Sequence, residues 1–134
     1  MIESTLLVLI AHGSRDPRWR KPFESLISEL KTRGDNQQPI TLCYMEMAEP
    51  GLLKAVKNAL HETPTLTTVK ILPLFMAAGA HFAKDIKALT EQLREAHPHL
   101  TVITHPPIGE DDAMRALIKL LAEEAITREI ASAY

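Results

Sequence analysis

An α/β domain built on a parallel sheet is the fold class this chain predicts, and three observations lead to it. Apolar runs of strand length alternate with amphipathic stretches of helix length from one end of the chain to the other. The first run, Leu6 to Ala11, is apolar without a break, as in a strand covered on both faces. Proline and glycine then punctuate the chain between the runs, at Pro39, Pro64 and Gly109.

Each element follows from its residues. After the first strand, Asp16-Pro17 reads as an N-cap followed by proline in the first helical turn. The helix it opens carries Trp19, Phe23, Leu26, Ile27 and Leu30 at spacings of three and four, and is expected to stop at Gly34. Ile40 to Glu46 is the second strand. Pro50 opens a second helix with Leu52, Leu53, Val56 and Leu60 as its buried stripe. Thr67 to Phe75 is rich in β-branched and apolar residues and reads as the third strand. Pro73 cannot donate to a ladder, so this strand is expected to end near Leu72, with residues 73–80 forming a loop. A third helix runs from about His81 to Ala96 with Phe82, Ile86, Leu89 and Leu93 inward. Leu100 to Thr104 is a short fourth strand, and Gly109 with the acidic run Glu110 to Asp112 favours the start of a last helix.

The order βαβαβαβα contains no internal linker, so one domain spanning residues 1–134 is expected. Right-handed crossovers and a flavodoxin-like winding give a three-layer sandwich on a four-stranded parallel sheet of order 2-1-3-4.

Composition excludes several classes. With 46% hydrophobic and 24% charged residues the chain reads as an ordinary globular protein, and 134 residues suffice for an independent core. A formal net charge of -2 argues against general nucleic-acid binding. Cys43 is the single cysteine, which rules out an intrachain disulfide and a multi-cysteine metal site. The apolar stretches Leu6 to Ala11 and Ile71 to Ala80 are shorter than the ~20 residues of a membrane-spanning helix. Met1-Ile2-Glu3-Ser4 lacks a basic leader region, so a cytoplasmic location is expected.

Chemistry is expected at the carboxyl ends of the strands. His12, in Ala11-His12-Gly13-Ser14, and His81, after Ala78-Gly79-Ala80, both stand where a strand gives way to a helix, beside small residues that leave room for a ligand. Alone, each reads more simply as a helix cap or a core hydrogen-bond partner; the pair at adjacent strand ends suggests a shared site. Glu46 ends an apolar strand, where an unpaired charge is costly, and is preferred over Glu49, whose place before Pro50 suits a helix start. In the order 2-1-3-4, His12, Glu46 and His81 converge. Two imidazoles and a carboxylate suit a transition metal while leaving coordination positions open. Ser14, Arg15, Arg18, Arg20 and Lys21 form a basic first turn beside His12, and Lys84 adds a charge one turn after His81; such groups grip carboxylates. His61, His97, His99 and His105 are expected at the surface.

Three segments carry a family resemblance. LVLIAHGSRDPR (residues 7–18), Tyr44 to Pro50 (YMEMAEP) and LPLFMAAGAHFAKDI (residues 72–86) resemble, in order, the motifs of the class II tetrapyrrole chelatases, specifically the small sirohydrochlorin cobaltochelatases. The resemblance implies a chelatase-like fold and insertion of a divalent metal into sirohydrochlorin, on the route to cobalamin or sirohaem. It puts the family's motif histidines on His12 and His81 and its strand-end acid on Glu46, as catalytic and metal-holding residues. Ser14, Arg15, Arg18, Gly79, Ala80 and Lys84 are then the residues expected to meet the substrate. It further implies no organic cofactor, Co²⁺ ahead of Fe²⁺ or Ni²⁺ as metal substrate, and a homodimer; the net charge and the short apolar stretches lead to the expectation of no nucleic-acid or membrane partner. A histidine-rich stretch, frequent in nickel-inserting relatives, is absent from this sequence. Two other readings use the same residues. One is a non-catalytic metal or tetrapyrrole carrier. The other is a phosphohydrolase with His12 as nucleophile, although Ala11 stands where histidine phosphatases place arginine.

Overall fold

The computed structural model describes residues 4–32 and 38–128. Four strands, β1 (Thr5–Ala11), β2 (Ile40–Tyr44), β3 (Thr68–Pro73) and β4 (Thr101–Thr104), alternate with helices α1 (Pro17–Lys31), α2 (Leu52–Glu62), α3 (Ala80–Ala96) and α4 (Asp112–Thr127). All strand pairs are parallel and the order is β2-β1-β3-β4, as the crossover rules predict.

β1 lies between two neighbours, pairing Leu7 with Ile40 on one side and Lys70 on the other. Its even-numbered side chains, Leu6, Val8 and Ile10, are fully buried. They join Leu52, Ala55 and Val56 of α2, Val69 and Ile71 of β3, and Ile86 and Leu93 of α3 in the main core. α2 and α3 therefore cover one face. α1 packs on β2 from the other face and buries none of its side chains fully.

Asp16 caps α1 as expected, accepting from the Arg18 amide, and Pro17 follows it. The helix ends at Lys31, short of the expected Gly34, which lies outside the described residues. Trp19 and Leu26 of its apolar stripe are exposed rather than buried. In α2, Leu53 faces out and Ala55 takes its place in the core, because the face that meets the sheet follows the 52/55/56 positions. β2 ends at Tyr44, leaving Glu46 in the loop beyond. Pro73 belongs to β3, opposite Ile10. Leu74 donates to Ile10 on the β1 side, so by alternation the donor that Pro73 lacks falls on the β4 side, past the last pair, Ile71 and Thr104. A 3₁₀ turn, Ile108–Glu110, precedes α4, whose N-cap is Asp111.

Cys43 is buried, and loss of hydration pushes its thiol up to about 12. The thiolate is the nucleophile, so at pH 8 the native protein should react with an aromatic disulfide reagent roughly a thousandfold more slowly than the denatured chain. Absorbance of the released thiol measures this; comparable native and denatured rates would contradict the burial.

Candidate active site

Parallel pairing carries two functional side chains to one place. β1 ends at Ala11, so His12 is the first residue beyond the sheet. Ala11 pairs with Tyr44, and the Met45 amide donates to the Ala11 carbonyl at 2.9 Å, extending the β1–β2 ladder by one residue. Glu46 therefore emerges directly beside His12. His12 Nδ1 and Glu46 Oε1 stand 3.0 Å apart, and both side chains are about half exposed.

Backbone geometry holds this pair. Met47 sits in the left-handed region, φ 59°, an uncommon conformation for a side chain of this kind that turns the loop behind Glu46. Gly13 passes so close to the Glu46 carbonyl and the Ala48 amide that a Cβ there would strike the Glu46 backbone. The Glu49–Pro50 bond is cis, and the Pro50 carbonyl accepts from the Tyr44 amide.

Aromatic groups form the rest of the surround. The His12 ring meets Phe75 edge-on at 4.3 Å between centroids, and Phe75 in turn meets Phe82 at 4.6 Å. The Trp19 indole donates to the His12 carbonyl at 3.0 Å. A cleft of about 470 Å³ runs between Trp19, Phe23, Phe75, Met76 and Phe82, with His12 in its wall. A second cleft lies on the other flank of the pair, lined by Arg15, Tyr44, Glu46 and Glu49 among others.

His81 stands exposed in the first turn of α3, and among the described residues it makes no hydrogen bond or ion pair with His12 or Glu46. No three His, Cys, Asp or Glu side chains among the described residues are arranged to hold a metal ion together. Gly79 caps α3 and lines the aromatic cleft; Ala80 follows it at the exposed helix start. The basic turn separates into two groups. The Arg18 guanidinium is gripped by the Asp16 carboxylate at 2.9–3.2 Å, which in turn holds the Asp16 acid below its ordinary range. Arg20 donates to the Ser14 carbonyl and pairs with Glu24, while the Ser14 hydroxyl accepts from the Asp16 amide. Arg15 and Lys84 are exposed and form no ion pair among the described residues, leaving them available to anions.

Sequence periodicity assigned Trp19 to the buried stripe of α1, and so missed it as a wall of the site. The signal was its place, one helical turn after the cap beside His12. Phe75 is 7% exposed and Phe82 packs against the core. Met76, beside them, is 57% exposed.

Comparison with known proteins agrees with this architecture. The family profile described as CbiX matches residues 6–125. The sirohydrochlorin cobaltochelatase of Sulfolobus acidocaldarius is 30% identical over 123 residues, 92% of this chain and 94% of the relative. The sirohydrochlorin ferrochelatase of Priestia megaterium is 25% identical, over 79% of this chain and 39% of its own length. The crystal structure of a cobalamin (vitamin B12) biosynthesis CbiX protein from Marinobacter aquaeolei superposes with a TM-score of 0.79 at 33% identity, covering 93% of this chain and 99% of that one. The class these matches define is the chelatases, which are lyases. Within it, the chain belongs to the CbiX family.

Gly13→Ala should cost about 1–3 kcal/mol, because the Glu46 loop must move to admit the methyl group. The displaced carboxylate should separate from His12 and chelatase activity should fall at least tenfold. Thermal denaturation and initial rates measure the two effects; a fully active, unshifted variant would show that the close approach does not hold the pair.

Proposed function

We propose that this protein inserts a divalent metal into sirohydrochlorin, with Co²⁺ favoured and Fe²⁺ or Ni²⁺ as alternatives, in cobalamin or sirohaem formation. The observation that carries the reading is the His12–Glu46 contact at the wall of an open, aromatic-lined cleft. Insertion replaces two pyrrole N–H bonds by metal–nitrogen bonds, so the site must present the metal and accept two protons. With the Nδ1 proton directed at Glu46, His12 Nε2 keeps its lone pair for the incoming metal or for a pyrrole proton. Glu46 fixes that tautomer and is itself a base within reach of the same proton path. His81, exposed in the first turn of α3 and next in sequence to the cleft residue Phe82, is the second imidazole that would approach the metal once substrate is bound. Arg15 and Lys84 are placed to meet the substrate's carboxylates, with Ser14, Arg18 and Ala80 in the adjoining turns. Trp19 and Met76, both exposed in the cleft wall, offer apolar surface to the macrocycle. The names of the relatives support both metals: cobalt in one, iron in the other.

The same reading takes residues 1–134 as a single domain that needs no organic cofactor and works in the cytoplasm as a homodimer. No helix among the described residues is long and apolar enough to cross a membrane. A second copy would cover the far side of a ring too broad for one small domain.

Anaerobic assays with sirohydrochlorin and each metal, followed by absorbance, test the activity. Many turnovers with excess substrate are expected; a single stoichiometric uptake would make the protein a carrier. His12→Ala and His81→Ala should each lower the rate by on the order of a hundredfold or more with circular dichroism unchanged. Near-normal turnover in either variant would remove that imidazole from the mechanism.

Glu46→Gln keeps the size and a hydrogen-bonding group but loses the basic site. It should lower kcat more than it raises KM, while Glu49→Gln stays close to wild type. The reverse pattern would transfer the role to Glu49.

A further inference from the structure

We infer a second site for a divalent transition-metal ion, anchored by His97 and His99 and completed by His61, at the end of the sheet opposite His12. It stands independently of the sirohydrochlorin reading.

The site belongs to the turns that lead from helix to strand. α2 and α3 both finish at the amino ends of the strands, and the two reversals that follow are built alike. In Thr63-Pro64-Thr65-Leu66 the Leu66 amide donates to the Thr63 carbonyl at 3.2 Å. In His97-Pro98-His99-Leu100 the Leu100 amide donates to the His97 carbonyl at 3.0 Å. Thr63 and His97 share one backbone conformation, φ -131° with ψ 80° and φ -135° with ψ 73°. Proline takes the second position of each turn, which suits its fixed φ, and the leucine that closes each is buried. Threonine serves at the other two positions in the first turn. The backbone therefore makes no demand for imidazole at 97 and 99.

Those imidazoles line a cleft of about 600 Å³ between the ends of α2 and α3, with His61 and Glu62 also in its walls. His61 and His99 are exposed and His97 is half-buried. None of the three side chains makes a hydrogen bond or ion pair among the described residues. The His97 and His99 rings stand 6.3 Å apart between centroids, at 87° to each other. An ion ~2.1 Å from one nitrogen of each ring lies about 3.2 Å from each centroid, so tetrahedral ligation needs centroids about 5.2 Å apart. Rotation of the exposed His99 side chain closes that gap. The three imidazoles are not gathered round one point as they stand. His61, on the last turn of α2, swings across the cleft when the ion binds.

Electrostatics select a cation. The carboxyl ends of α2 and α3 both open on this cleft, and they are the negative ends of the helix dipoles. Glu62 adds a carboxylate, with Lys57 as the opposing charge. Neutral imidazole favours Co²⁺, Ni²⁺ or Zn²⁺ over Mg²⁺ or Ca²⁺. β3 has six residues, so at ~3.3 Å per residue the two ends of the sheet are about 20 Å apart. An ion held here touches neither His12 nor Glu46.

Co²⁺ binding to the full-length chain without tetrapyrrole tests this, by equilibrium dialysis and the visible absorbance of the bound ion. A His12→Ala/His81→Ala chain should still take up one Co²⁺, and its thermal midpoint should rise with the metal. His97→Thr and His99→Thr reproduce the residues of the 63–66 turn, so the fold should be kept. Added singly to that chain, each should weaken binding at least tenfold; together they should abolish both the uptake and the thermal shift. His61→Ala should weaken binding at least threefold. In the otherwise wild-type chain the threonine variants should insert metal at the normal rate with saturating Co²⁺, so failure here and failure of the chelatase reading are seen separately. Uptake that vanishes with His12 and His81, or that survives both threonine substitutions, would overturn the second site. Unchanged affinity in His61→Ala would strike His61 from it.

Discussion

β1 is flanked by parallel partners on both edges, and this double pairing is the constraint on which the remaining structure rests. A strand paired on both sides satisfies its backbone groups within the sheet, and its side chains must then be apolar on both faces. Leu6, Val8, Leu9 and Ile10 meet that demand. Since every pair is parallel, all the carboxyl ends reach one edge, and loops that follow β1, β2 and β3 have no choice but to meet there. His12 and Glu46 are adjacent because Ala11 and Tyr44 are in register, not because the loops attract each other.

The imidazole–carboxylate pair contributes little to stability. Both groups are about half exposed, where ion pairs are screened and typically worth under about 1 kcal/mol. Its value is orientation: one carboxylate fixes which nitrogen of His12 holds the proton. Phe75 restrains the ring from the side, and the Trp19 indole ties down the backbone beneath it. Such a site can stay open to a broad, flat substrate because the core, led by Phe75, lies directly under it and not around it.

Coverage of the sheet is where the fold departs from a self-sufficient sandwich. The crossovers assign α2 and α3 to one face and α1 to the other, and the last helix is the one left to close the second layer. The tie between Gly109 and the Met76 backbone commits that helix to a direction before its first turn forms. The apolar stripe of α4 therefore stays largely exposed, at Leu117, Ile118 and Leu121.

Much of this was legible in the residues alone. Continuous apolar runs and helical spacing determined the elements, and handedness determined the order β2-β1-β3-β4, because both depend on local sterics and chain connectivity. The place of His12 just past β1 followed from the same pattern, whereas Glu46 falls in the loop after β2 and His81 in the first turn of α3. Tertiary structure decided what local periodicity cannot see. It turned Leu53 out and Ala55 in, since a helix's buried side is set by its angle on the sheet. It placed Trp19 in the wall of the cleft and Phe75 beneath the site, and it occupied Arg18 with Asp16 while Arg15 forms no ion pair among the described residues. It also left the side chains of α4 without full burial. A stripe records that a helix needs a partner; only the three-dimensional path of the chain determines whether its own sheet lies within reach.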